Sequence, residues 1–273
     1  MAVGASDHWE MERIKRRLGL VATLVGPARA VVLLGLPPAS DIEGQMRVEG
    51  LESLLDAHGI ASLPRGSGAE PGSTVIWLGD GPEELDALRR RVQPGRVLLW
   101  PRPEGAAEAH RLLAGWSGPP PVFCSPGGVG TAAGDAASDR IRVLPDPAHA
   151  LWGLLDHHPR GEGLMRLPDE GWDGLLPPAR LAMLRRCARQ GRGLPLAGLR
   201  SRLCRVARRR VLEAARRAVA AHAEVSGTRV GGSILAALLG RPFHPAPAAG
   251  ADGVDRIGSY WAAWRTKVDA DRR

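Results

Sequence analysis

Short aliphatic runs recur along the first half of the chain at intervals too long for hairpins: AVVLLGL at 30–36, STVIWLG at 73–79, RVLLW at 96–100, VFCS at 122–125 and IRVLPD at 141–146. Apolar runs without polar alternation belong to strands buried on both faces, which means a parallel sheet covered by helices. The intervening segments supply those helices near 46–58, 82–92 and 104–115. PAHALWG at 147–153 reads as a short helix after the strand that Pro145 ends. The alternation predicts an α/β fold.

The polar stretch DHHPRGEG at 156–163 interrupts this rhythm with Pro and Gly and marks a boundary. Beyond it the pattern predicts a strand at GLMRL, helices at 177–190 and 203–221, a strand at AEVSG, a helix at 230–239 and a last helix from about 254 to 268. A chain of 273 residues can build two modest cores, so the expected domains are 1–155 and 156–273. Ligands of open parallel sheets sit beyond the carboxyl ends of the strands. The loops after Leu36 and Leu78, the stretch SPGGVGTAAGD at 125–135 and the junction at Thr228 and Arg229 are therefore the places for chemistry.

Charge narrows the partners. The net charge of +8 comes almost wholly from arginine, since Lys15 and Lys267 are the only lysines. Thirteen arginines fall between Arg180 and Arg217, with Glu213 the only acid among them. Such a segment is either a solvated helical face or an electropositive surface for an anionic polysaccharide, a lipid-linked sugar pyrophosphate or the cytoplasmic membrane leaflet. No helix-turn-helix, zinc finger or stacking platform accompanies the charge, which argues against nucleic acid. Cys124, Cys187 and Cys204 fit neither a disulfide framework nor a zinc site and point to a reducing cytoplasm. His157 and His158 lack neighbours at metal-ligand spacing.

Residues 13–30, RIKRRLGLVATLVGPARA, carry basic, apolar and Ala-x-Ala features of a secretory signal, but Asp7, Glu10 and Glu12 spoil the basic flank. No apolar run reaches the roughly 18 residues that span a bilayer. The expected location is the cytoplasm, with contact to the inner membrane surface through the basic segment. The Gly-rich PGGVGTAAG at 126–134 misses the dinucleotide-binding spacing, because Gly134 falls one residue late after Gly128 and Gly130.

The most informative stretch is VSGTRVGGSILAALLGRPF at 225–243, a strand running into a helix with Arg229 at the junction. A helix N-terminus presents unpaired N–H groups and the positive end of the macrodipole, so an adjacent guanidinium makes an anion site. A buried core helix that starts on small residues is the alternative.

This stretch resembles the signature of the bacterial polysaccharide pyruvyl transferases, a strand ending in Thr-Asp-Arg-Leu-His-Gly-His before an Ile-Leu-rich helix. VDRIGSYWAAW at 254–264 resembles the family's aromatic ending, with Tyr260 and Trp264 at its aromatic positions. LPDPAHAL at 144–151 is similar to the Pro-Asp-Met-Ala-His-Ala-Leu between the family's two domains, and residues 36–59 to its first loop and helix. The resemblance implies two Rossmann-like domains in a glycosyltransferase type B-like arrangement. It also implies transfer of a pyruvyl ketal from phosphoenolpyruvate to a sugar of a cell-surface polysaccharide or lipid-linked glycan, with no cofactor.

Carried over by position, the resemblance makes Arg229 the leading donor-binding residue, with Thr228, Gly231 and Gly232 around it, Arg256 in place of the family's lysine, and Arg166 at the start of the second domain. The acceptor-side loop is Asp41, Glu43 and Gly44. Gly231 replaces the family's histidine, Thr228 its aspartate and Ser233 its second histidine, so a histidine restored at Gly231 is expected to fit. The general acid then falls to His244, Asp252 or Asp255. Three readings follow: a divergent active transferase, a catalytically silent relative that binds glycan or a partner enzyme, and a two-domain glycosyltransferase.

Overall fold

The computed structural model describes residues 8–63, 72–79, 95–102, 121–125, 141–154, 161–167, 172, 176–189, 197–246 and 255–264. Helices α1 (His8–Leu18) and α2 (Leu20–Val25) precede β1 (Ala30–Leu34), α3 (Ile42–Ala57), β2 (Ala61–Leu63), β3 (Thr74–Trp77), β4 (Arg96–Leu99), β5 (Val122–Ser125) and β6 (Ile141–Val143). A 3₁₀ helix at Pro147–Leu151 leads on to β7 (Leu164–Arg166), α4 (Pro178–Arg189), α5 (Ala197–Ala220), β8 (Glu224–Gly227), α6 (Val230–Leu238) and β9 (Phe243–Pro245). Residues 255–264 form a further helix, α7. The expected helices at 82–92 and 104–115, the Gly-rich stretch at 126–134 and most of 156–163 lie outside the described residues.

The aliphatic runs form a six-stranded sheet in the order β2-β1-β3-β4-β5-β6, and every pairing is parallel. A second parallel sheet has the order β7-β8-β9. The fold is a Rossmann-like α/β fold. In the larger sheet the chain passes from β1 to β2 on one side and returns to β3 on the other, which makes the gap between β1 and β3 a topological switch point. Gly35 (φ 63°) and Gly79 (φ 101°) turn the chain out of these two strands in the left-handed region that glycine tolerates.

Helix α3 lies between the two sheets. Asp41 caps it, its Oδ1 accepting from the Gly44 N–H at 3.1 Å. It ends where Gly59 (φ 68°) lets Ile60 N–H reach back to Leu55 O, the glycine-dependent closure that HG at 58–59 encodes. Eleven of its sixteen residues are buried, so both flanks of the helix are covered. Val48, Leu51 and Leu55 join β1, β3 and β4 residues in one core. Ile42 and Met46 join a second core with Met11 and Ile14 of α1, Val225 of β8, Ile234 of α6 and Trp261 of α7. The stretch 13–30, with its signal-like pattern, is thus packed as helix up to Val25, with Ile14, Leu18, Val21 and Val25 all buried.

Part of the arginine-rich segment departs from the expected solvent-facing basic surface. Glu49, Glu52 and Asp56 fall on one stripe of α3, and α5 lays its arginines against them. Arg208 reaches Glu52 at 2.6 Å, Gln45 at 3.1 Å and Glu49 at 3.4 Å, and Arg209 reaches Glu49 at 2.6 Å. Arg205 pairs with Asp56 and lies 3.5 Å from Glu49 and 3.6 Å from Glu52. Burial works against the Arg205 charge, but the three carboxylates outweigh it and hold its pKa above the ordinary value. Arg202, Arg209, Arg210 and Arg217 remain exposed.

The approach of the 3₁₀ helix to α3 depends on Gly50. A Cβ there would lie 2.1 Å from Pro147 O and 3.1 Å from Ala148 Cα, both backbone atoms that cannot rotate away. Gly50→Ala is expected to lower stability by about 1–3 kcal/mol through overpacking, measured by urea unfolding, although alanine is the better helix former. An unchanged midpoint would contradict this packing.

Candidate functional site

The loop after β1 and the junction after β8 bring the starts of α3 and α6 together. On the α3 side, Asp41 is both the helix cap and the ion-pair partner of Arg102 from the loop after β4. Gly44 must stay small, because a Cβ would meet Pro37, Asp41 and Arg102 within 2.6 Å. The expected acceptor-side residues Asp41 and Gly44 therefore close a turn against β4.

Glu43, expected with them on the acceptor side, points across to α6. A Cβ on Gly231 would lie 2.6 Å from Glu43 Oε2 and 2.7 Å from Glu43 Cβ, and one on Gly232 would lie 3.4 Å from Glu43 Oε1. The carboxylate thus rests on the first turn of α6, where the macrodipole favours negative charge. The space expected for an imidazole at Gly231 is filled by another helix, and the backbone there is not in the left-handed region. Arg229 sits at the N-cap in extended conformation (φ −115°, ψ 147°), half-buried, and no ion pair of its guanidinium is found among the described residues. Ser233, in place of the family's second histidine, is buried; its hydroxyl donates to Val230 O at 2.6 Å and accepts from Trp261 Nε1 at 2.9 Å.

Behind this junction lies a buried polar chain. Arg47 of α3 donates to Leu78 O and Trp100 O at 2.8 Å and to Pro101 O at 3.1 Å, satisfying carbonyls at the carboxyl ends of β3 and β4. Its Nε faces Asp146 Oδ2 at 2.8 Å, an ion pair without hydrogen-bond geometry. Asp146 caps the 3₁₀ helix through Ala148 N–H, and its own N–H donates to the Tyr260 hydroxyl at 3.3 Å. That hydroxyl lies 2.7 Å from His149 Nε2. Burial, then the Asp146 charge, raises the Tyr260 pKa well above the phenolic range. Burial pushes His149 down to about 3, and its Nδ1 has no hydrogen-bond partner among the described residues. Arg47 was not singled out in the sequence, and nothing local marks it, since its partners lie 31 to 99 positions away. His149 and Tyr260 stand in the stretches that carry the family resemblance.

The other expected residues divide: Thr228 and Arg166, which is level with Ser226, lie at the junction end of the smaller sheet, and the acids do not gather there. His244 of β9 lies 2.9 Å from Glu224 at the amino end of β8, drawn away from the junction at its carboxyl end. Asp255 and Arg256 are exposed on the first turn of α7, and Arg166 is exposed at the end of β7. Thr228 is half-buried beside Arg229. Asp252 lies outside the described residues. The thiol of Cys124 is buried and pushed up to about 12 by desolvation, so it is not a nucleophile. Among the described residues no group of His, Cys, Asp and Glu could hold a metal ion.

Two measurements check this geometry. Folded His149 stays neutral down to about pH 3, whereas the unfolded chain takes up the proton below 6.5. Stability is therefore expected to fall as pH drops through that window, by up to about 1.4 kcal/mol per pH unit for this proton, and His149→Gln to flatten the profile. Gly231→Ala is expected to cost about 1–3 kcal/mol, and less when Glu43→Gly removes the opposing side chain. Additive losses in that double-mutant cycle would mean that the two residues do not touch.

No family model matches the chain, and no curated protein matches it. A solved structure of a functionally uncharacterized protein from Klebsiella pneumoniae subsp. pneumoniae NTUH-K2044 is similar in fold, with a TM-score of 0.54 and 13% identity over 88% of this chain and 92% of that one. At that identity the likeness shows a shared fold and nothing about activity.

Proposed function

We propose that the chain is a divergent relative of the polysaccharide pyruvyl transferases that has lost the transfer step and serves to bind a glycan or a partner enzyme of polysaccharide assembly. In this reading the two sheets are the two Rossmann-like domains of a glycosyltransferase type B-like arrangement, working in the cytoplasm beside the inner membrane surface. The observation that carries it is the Glu43 side chain packed against Gly231 and Gly232. Phosphoenolpyruvate brings a carboxylate and a phosphate, and a fixed carboxylate at the helix start repels both. The candidate acids add support: the His244 imidazole faces Glu224, away from Gly231, and Asp255 is exposed.

Arg229 favours a second reading. Its guanidinium, without an ion pair among the described residues, suits donor binding if Glu43 swings aside. The experiment that separates the two is thermal unfolding with phosphoenolpyruvate, run beside a phosphate-release assay with acidic bacterial polysaccharide as acceptor. A donor at about one hundred times its dissociation constant stabilises a fold by about 2.7 kcal/mol. The silent reading expects no shift and no phosphate from the native chain, together with glycan binding that does not depend on phosphoenolpyruvate. Phosphate release at the expense of phosphoenolpyruvate would overturn it in favour of active transfer.

A further inference from the structure

A cavity of about 370 Å³ lies between α3, the 3₁₀ helix, α5 and α6, apart from the Gly231 junction. Its walls are mostly apolar: Ile42 and Met46 of α3, Leu151 of the 3₁₀ helix, Leu212 and Ala215 of α5, and Leu235 of α6. Ile42, Met46, Glu49 and Ser53 fall on one stripe of α3, so the cavity follows that helix for roughly 16 Å at about 1.5 Å per residue. Its size falls within the range of roughly 300–1,000 Å³ typical of small-molecule sites.

The helices that border this space cannot close over it, because the ion pairs of Glu49, Glu52 and Asp56 with α5 fix their separation. An empty apolar slot forgoes dispersion contacts and offers water few partners, so an apolar occupant is favoured. Leu154, 59% exposed, stands at the edge and would be covered by one. Polar atoms enter from two sets. Glu213 is bound by Arg216 at 2.6 and 2.7 Å, while Arg209 pairs with Glu49 and is itself 58% exposed, which places Arg209 at the solvent edge. The charged lining is balanced, Arg209 and Arg216 against Glu49 and Glu213, but Arg209 meets Glu49 through its Nε alone, so its Nη groups at the solvent edge are open to an anionic head group.

We propose that this cavity binds an anionic single-chain amphiphile, with the alkyl chain lying along α3 between Ile42 and Ser53 and the phosphate or carboxylate head at Arg209. The inference stands on the cavity and on Arg209 at its solvent edge, independent of any pyruvyl chemistry.

Calorimetric titration of the full chain with dodecyl phosphate below its micellar concentration is expected to give saturable one-to-one binding. Ala215→Phe, which fills the slot, and Ser53→Trp, which blocks its edge, are each expected to weaken binding by about ten-fold or more, and Arg209→Gln to weaken dodecyl phosphate by about ten-fold while leaving dodecanol unchanged. Inorganic phosphate alone is expected not to bind. Ser53→Trp leaves the apolar wall intact, so a folding defect in Ala215→Phe does not decide the outcome. Absence of saturable binding by the native chain, or native affinity in a blocked variant whose melting temperature is unchanged, would overturn the proposal. Equal loss of dodecanol binding in Arg209→Gln would overturn the head-group assignment.

Discussion

The structure depends on a helix that is buried on both flanks and nevertheless charged. Helix α3 carries Arg47, Glu49 and Glu52, each less than a tenth exposed. Ions taken out of water cost several kcal/mol apiece unless partners replace the solvent. Here every one has a partner from a different part of the chain: Arg47 from the carboxyl ends of β3 and β4 and from Asp146, the two glutamates from α5. These contacts add little net stability compared with well-packed apolar residues, but losing one partner strands a buried charge, at a cost of about 3–5 kcal/mol. Mispositioned helices are penalised accordingly, so the charges fix the register of α3 against both sheets more sharply than aliphatic packing would.

That fixing has a consequence at the carboxyl ends of the strands. In an open parallel sheet the crevice at the switch point is where backbone groups are left for a ligand. In this chain Arg47 already binds the carbonyls of Leu78, Trp100 and Pro101, and Asp41 already holds Arg102. The polar groups of the crevice are turned inward and serve to anchor α3. Among the described residues, a cavity lies on the other flank of the helix, between α3 and α5, where its lining is mostly apolar.

The strands of the larger sheet were legible because a parallel sheet buries both faces, and uninterrupted runs such as AVVLL have few other uses. The cap at Asp41 and the closing glycine at Gly59 show that the local rules for α3 were also present, although its start lay several residues earlier than the apolar periodicity suggested. The edge strands β2 and β9 were not legible, since three residues carry no period. The meaning of the arginine run was hidden for a different reason. Its carboxylate partners lie about 150 positions earlier, and each side read alone is an ordinary solvated helix face. Gly231 was noticed as a departure from a histidine, but the sequence cannot show that Glu43 fills the space.

Glu43 and Gly231 make sense as one pair. A helix start without an acid or a side-chain cap leaves N–H groups and a positive dipole end unanswered, and α6 has neither in its own sequence. An anionic substrate answers that charge while it is bound; a carboxylate from a neighbouring helix answers it at all times. The exposed version of that interaction is worth only about 0.3–1 kcal/mol, so stabilising the helix dipole is too weak an effect to explain why α3 and α6 pack this closely. The closeness comes from the absence of a side chain at residue 231, because any Cβ would hold the helices apart. Glycine at residue 231 therefore lets the helices come together, and the approach in turn delivers Glu43 to the start of α6. A bulky side chain placed at residue 231 alone would lack the gap that it needs.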